Sequence, residues 1–279
     1  MFHSTAMVPD YDGARDALAR LVGLRVLEYS DQPHPAVGRR GGMTWIGDNS
    51  LELGQPTVAG GGAARFVERT GGGLHSVAVQ VRDLPATKAA LVDLGIPVAA
   101  EPDPAFFFSD PRATGGVFFE WGCLEMEEDP RFGAPVPDFT CEPLLDVTHQ
   151  AWVGAVVEDP IGLSRRLAPA LTTEVAFLHP GGPPDRPAAG VPVGADCLLA
   201  LYPMPGPDDE ALWGHPYPKA RTHLLALRVE DLKGAAWALA GAGVGVIRSG
   251  DHELVVDPRA TGGVALAVVD RLLPGDPRR

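Results

Sequence analysis

The run Val117-Phe118-Phe119-Glu120-Trp121 places a carboxylate inside an otherwise apolar strand. Burying a carboxylate is unfavourable unless it is paired or bound to a metal. Glu120 is therefore the first candidate for chemistry. The run follows the turn Asp110–Gly116, DPRATGG, which recurs unchanged as Asp257–Gly263. In the second copy Ala267 stands where the first has Glu120. A second reactive type lies in Gly73-Leu74-His75-Ser76-Val77-Ala78-Val79-Gln80. Side chains of a strand alternate faces. His75 is thus expected to point with Val77 and Val79, and Ser76, Ala78 and Gln80 the other way. Cys123, Cys141 and Cys197 lack metal-ligand spacing and read as scattered thiols of a reducing compartment. No nucleophile–base arrangement can be argued from spacing.

The elements that must position these residues show a repeat. Leu74–Leu84 (LHSVAVQVRDL) matches Thr222–Leu232 (THLLALRVEDL). Each is an alternating strand that runs through an acidic turn into an Ala/Leu-rich helix. Two strands, the DPRATGG turn and a last strand follow, a repeat period that marks duplication. The other quarters follow the same plan, with Asp10 or Asp12 as N-cap of the first helix. The reading is an α+β chain of four βαβββ modules, at 1–57, 73–123, 147–204 and 221–270. They form two domains, 1–123 and 147–270, joined by a linker at 124–146 and followed by a tail at 271–279. Trp45 reads equally as core or as a wall for an apolar ligand. Phe106–Phe108 reads as a buried strand, and Arg39-Arg40 as a solvated hairpin rather than a contact for an anionic group.

The bulk figures narrow the partners. A net charge of −13 without a basic stripe argues against nucleic acid. No apolar run reaches the ~18 residues of a membrane span. The N-terminus has neither a basic nor an apolar leader region, so a cytoplasmic protein, monomer or homodimer, is expected.

The four-module plan resembles the vicinal-oxygen-chelate (glyoxalase/bleomycin-resistance/dioxygenase) superfamily. Within it the first half resembles methylmalonyl-CoA epimerases most, through FHSTAMVPD, SLELGQPT, AARFVERTGGGLHSVAVQVRDL and SDPRATGGVFFEW. The resemblance implies two glyoxalase-like domains, each a cupped mixed sheet with helices outside. It implies a divalent metal (Mn, Co, Ni, Zn or Mg) in the cup of a module pair, with ligands on first and last strands. His3, Glu52 and Glu120 fall on three such positions. The fourth position, a His in the family, carries Ser76. His75 is one residue off and ligates only if a bulge turns it. A site of one His and two carboxylates favours Mn or Mg over Zn or Ni, or holds no metal. The second carboxylate of two-base epimerases is missing, because the matching strand Gly42–Gly47 (GMTWIG) carries none. The second half carries Trp152, Leu224, Leu199 and Ala267 at its ligand positions, and reads as degenerate.

The expected activity is metal-assisted proton transfer on a small oxygenated carbonyl substrate, as in a lyase or isomerase, with Glu120 as base. Trp45, Ser76, Gln80 and Trp121 are the expected pocket. One alternative is a non-catalytic binder of the bleomycin-resistance type, its cups lined by Trp45, Trp121 and Trp152. Another is an extradiol-type dioxygenase, which needs two His and one carboxylate.

Overall fold

The computed structural model describes residues 3–34, 38–123, 125, 130–136, 138, 141–180, 186–206 and 221–278; for 26–34 it gives the backbone path. Most of the expected connection at 205–220 lies outside these residues, as does part of the 124–146 linker.

The first module comprises β1 (His3–Met7), α1 (Tyr11–Val22), β2 (Arg25–His34), β3 (Arg39–Ile46) and β4 (Asn49–Pro56). Helix α2 (Gly62–Thr70) leads into the second, which comprises β5 (Gly73–Gln80), α3 (Leu84–Asp93), β6 (Val98–Asp103), β7 (Phe106–Ser109) and β8 (Phe118–Gly122). The third comprises β9 (Val147–Val157), α4 (Pro160–Ala170), β10 (Phe177–Leu178), β11 (Ala189–Pro192) and β12 (Leu198–Pro203). The last comprises β13 (Arg221–Val229), α5 (Leu232–Gly241), β14 (Val246–Ser249), β15 (Glu253–Val256) and β16 (Leu266–Val269). Helices α1, α3, α4 and α5 start alike. Asp10, Asp83, Asp159 and Asp231 each accept a backbone N–H three residues on. That bond satisfies one of the free donors of a helix start.

The strands form two eight-stranded sheets of the same design. The first runs β2-β3-β4-β1-β5-β8-β7-β6, and the second β10-β11-β12-β9-β13-β16-β15-β14. Modules 1 and 2 thus share one sheet, joined by antiparallel β1–β5 pairing, and modules 3 and 4 share the other. The helix-facing sides of both sheets contribute to a single apolar core. It includes Tyr11 and Leu18 of α1, Val77 and Phe119 of the first sheet, Leu167 of α4, and Leu225 and Val268 of the second.

The repeated turns do structural work that is the same in both copies. Asp110 and Asp257 each accept the backbone N–H two residues on and pair with the Arg112 or Arg259 side chain. Thr114 and Thr261 each donate to the carbonyl three residues on. Each turn also docks on the other half. A Cβ placed on Gly115 would lie 3.0 Å from Leu163 of α4, and one on Gly262 2.4 Å from Ala14 of α1.

Candidate metal centre

Three adjacent strands, β4, β1 and β5, and their neighbours β3 and β8, carry the candidate residues. Their pairing sets two rows across the sheet. One runs Trp45–Ser50–His3–Ala78–Glu120–Phe108. The next runs Met43–Glu52–Thr5–Ser76–Phe118. Side chains in register on neighbouring strands share a face. That face is opposite the helices, where Val77, Phe119 and Trp121 pack into the core.

His3, Glu52 and Glu120 meet on this cup face, with one ligand atom of each within 4.8 Å of the others. Three ligands of one ion at bond lengths near 2.1 Å lie about 3.0–3.6 Å from one another. Closing on an ion would draw these side chains together by up to about 1–2 Å. The His3 side chain is buried, and its Nε2 lies 3.5 Å from Glu52 Oε2. Glu120 is also buried, and none of the described residues makes a hydrogen bond or ion pair to its carboxylate. Burial pushes its carboxyl above the ordinary range; the Glu52 charge adds to this, and His3 and Arg39 offset it only in part. The donor chemistry of one imidazole and two carboxylates suits a divalent ion of hard to intermediate character.

Glu52 is held differently. Burial alone would raise its carboxyl, but the Arg39 guanidinium and His3 keep it well below the usual carboxylate range. Arg39 donates to Oε1 through Nε at 3.1 Å and also through Nη2. Thr5 donates to Oε2 at 3.2 Å. The expected solvated hairpin at Arg39 is corrected here. Strand β3 begins at Arg39, and its alternation with Gly41, Met43 and Trp45 turns the guanidinium inwards. Arg40, one residue on, turns outwards and pairs with Asp12 at 2.8 Å.

His75 does not follow the alternation expected of it. The β1–β5 register shifts between Thr5 and Ala6, opposite Ser76 and Leu74, which leaves His75 as the extra residue of a bulge. A bulge leaves its extra residue unpaired and re-aims the side chain. His75 packs edge-on between Phe66 of α2 at 4.9 Å and Phe118 at 5.0 Å. It lies outside the cluster of three. Its Nδ1 is 3.3 Å from the Ser76 hydroxyl. The same bulge recurs at His223 in the second sheet, where Thr222 and Leu224 flank the shift.

Burial, and the charges of Arg39 and Arg69, lower the His75 pKa to about 4. An unfolded imidazole titrates near 6.5. Between those values the unfolded chain binds the extra proton. Stability from this group is therefore complete above about pH 6.5 and lost as pH falls towards 4. The expected loss is on the order of 2–3 kcal/mol. Chemical unfolding at pH 7.5 and 4.5 checks this. His75→Phe, which keeps a ring in the slot, should show a smaller drop than the parent.

The pocket residues divide. Trp45 lies on the cup face, packed with Met43, and the Arg131 guanidinium stacks 5.5 Å over its ring. Ser76 is buried in the second row, and Gln80 is exposed at the end of β5. Trp121 is on the opposite face from Glu120 and packs at 5.7 Å against Phe119 in the helix-side core. The odd–even alternation of Phe118–Trp121 already separates it from Glu120. Residues that the sequence reading did not assign to the pocket form its aromatic wall. Phe108 stacks on Phe118 at 4.8 Å, and Phe106 meets Phe108 at 5.6 Å. A separate cavity of about 450 Å³ lies by Leu84, Lys88 and Phe106, away from the three clustered side chains.

The second cup is filled by its own side chains. Trp152, Phe177, Tyr202, Leu224 and Ala267 pack together, and Trp152 donates to the Tyr202 hydroxyl at 3.1 Å. Leu199 belongs to the helix-side core, and Leu198 and Ala200 take the cup-facing places on β12.

A family model described as the Glyoxalase/Bleomycin resistance protein/Dioxygenase superfamily matches residues 2–110. That part of the chain is similar to this superfamily. The whole chain is similar in fold to a triple mutant of 4-hydroxymandelate synthase from Streptomyces coelicolor. The TM-score is 0.66 at 16% identity, over 99% of this chain and 94% of that one. Two glyoxalase-like domains are thus present. Methylmalonyl-CoA epimerase from Mycobacterium tuberculosis is similar at 22% identity and TM-score 0.39, over 43% of this chain and 84% of its own. A single-residue variant of the Streptomyces coelicolor epimerase, in complex with 2-nitronate-propionyl-CoA, is similar at 23% identity and TM-score 0.39, over 43% of this chain and 90% of its own. No curated protein matches the chain. No helix among the described residues is long and apolar enough to cross a membrane.

Proposed function

We propose that the N-terminal cup moves a proton at the carbon beside a carbonyl of a small oxygenated substrate. His3, Glu52 and Glu120 would hold a divalent metal ion there. The observation that carries this reading is Glu120. It is a buried carboxylate without a hydrogen bond from the described residues, and its ligand atom clusters with those of His3 and Glu52. When bound, such an ion polarises two neighbouring substrate oxygens. Glu120, beside the substrate carbon, would accept and return the proton as general base. Met43, Trp45, Phe108 and Phe118 keep water from the reacting carbon and offer apolar surface to the rest of the substrate. The cup has no second carboxylate base on β3, so one-base proton exchange is favoured over two-base epimerisation. The three free thiols accord with a reducing cytoplasm.

The test is proton washout. A panel of 2-oxo acids, 2-hydroxy ketones and 2-methyl acyl thioesters is incubated in D2O with protein and Mn(II), and followed by NMR. Deuterium should enter the carbon beside the carbonyl of at least one class, faster than without protein. Exchange at the background rate throughout would refute the reading.

A second reading, sequestration of an apolar molecule, draws on one observation: both Glu52 oxygens already have partners. The dioxygenase reading is disfavoured by the single imidazole in the cluster.

A further inference from the structure

Helix α5 lies at the surface without a polar face. Leu232, Ala235 and Leu239 turn inwards and are buried. Its outward side carries Lys233, Gly234, Trp237, Ala240 and Gly241. Lys233 is the only charged residue of the helix. The matching helix of the first module, α1, instead turns Asp16 and Arg20 to solvent. A helix that is apolar all round normally lies buried. Trp237 is 81% exposed, more than any other large apolar residue among those described. Lys233 precedes it by four residues and so stands on the same side.

A hollow of about 230 Å³ opens beside the same helix, and Ala238, the residue after Trp237, lines it. Leu145, Val229 and Ala235 are buried and form its floor. Asp146, Glu230 and Asp231 stand exposed around it. That volume is below the ~300–1,000 Å³ of ordinary small-molecule sites and suits one large side chain. Arg228 already pairs with Glu230 at 3.5 Å, and Asp231 caps α5. Asp146 makes no ion pair with any described residue. The hollow thus offers an apolar floor and a negative rim. Trp237 and Lys233 offer an apolar ring and a positive charge, and the exposed ring does not fill the hollow of its own chain.

We infer that this face of α5 binds a second copy of the chain: Trp237 of one copy enters the hollow of the other, and Lys233 meets Asp146. A two-fold axis that exchanges ring and hollow makes each contact twice and closes the assembly at two chains. The indole is then buried as a central aromatic anchor.

Sedimentation equilibrium of the full chain measures this. The parent should form a dimer with a dissociation constant of about 1 µM or tighter, the weak end for interfaces of standard size. Trp237→Ser should weaken it at least about thirtyfold, as the loss of one anchor residue does. Ala238→Phe, which plugs the hollow and leaves Trp237 in place, should weaken it likewise. Lys233→Glu should also weaken it, and adding Asp146→Lys to that variant should recover part of the loss. A parent that stays monomeric at about 100 µM, a hundredfold above that constant, overturns the inference. So does a dimer equally strong in Trp237→Ser and Ala238→Phe, which must form elsewhere. Should Trp237→Ser fail to fold, Ala238→Phe and the charge exchange decide. No recovery on adding Asp146→Lys overturns the contact between Lys233 and Asp146.

Discussion

Glu120→Gln should lower catalysed proton exchange by about a thousandfold, in the range lost with a general base. The same change should raise the stability of the metal-free protein at pH 7. Burial opposes ionisation of Glu120, and no described residue offers its carboxylate a hydrogen bond. The folded state therefore favours the protonated form, and at neutral pH the ionised group works against folding. A neutral amide of the same shape removes that penalty. The two effects have opposite signs, which a purely structural carboxylate would not produce. Proton washout measures the first and urea unfolding of the metal-free pair the second. A glutamine variant less stable than its parent would show that Glu120 makes stabilising contacts, and would remove the argument that it is kept for chemistry.

Gly262→Ala should cost about 2–4 kcal/mol of stability, among the larger effects of a single substitution. Gly262 has φ near +65°, where a Cβ is strained. The added atom would also lie 2.4 Å from Ala14 Cβ and 2.5 Å from Ala14 Cα. Neither can move without shifting α1. Gly263 supplies the control. Its φ is +96°, but the nearest atom to an added Cβ is 3.7 Å away, at the Gly71 carbonyl oxygen. Gly263→Ala should carry the backbone strain alone, about 1–3 kcal/mol. Gly115→Ala should fall between, since the close atom at 3.0 Å is the end of a Leu163 side chain. Urea midpoints in the order Gly263→Ala, Gly115→Ala, Gly262→Ala, from highest to lowest, are expected. Equal midpoints would mean that the second turn does not press on α1.

The module plan was readable because alternation and duplication are local signals. The match of Leu74–Leu84 to Thr222–Leu232 and the copied DPRATGG turn predicted two sheets of equal design, and both sheets have the same strand order. The meeting of His3, Glu52 and Glu120 followed from that plan, because β4, β1, β5 and β8 are neighbours and their registers align. Other features were hidden for identifiable reasons. The His75 bulge depends on pairing with β1, and a single strand read alone carries no sign of it. The inward path of the Arg39 stem to Glu52 depends on the missing side chain at Gly54, on a different strand. The aromatic wall needs β7 beside β8, which brings Phe108 opposite Glu120. Trp121 is a different case. The alternation that placed Glu120 in the cup also places its neighbour on the other face, and Trp121 does lie there.

Metal content is the most direct measure of the account. Protein dialysed against Mn(II), freed of excess ion and analysed by mass spectrometry should hold one equivalent per chain. His3→Ala and Glu120→Ala, handled alike, should hold little or none. A folded parent that retains no metal, or a Glu120→Ala protein that retains the full equivalent, would contradict the assignment of His3, Glu52 and Glu120 as its ligands.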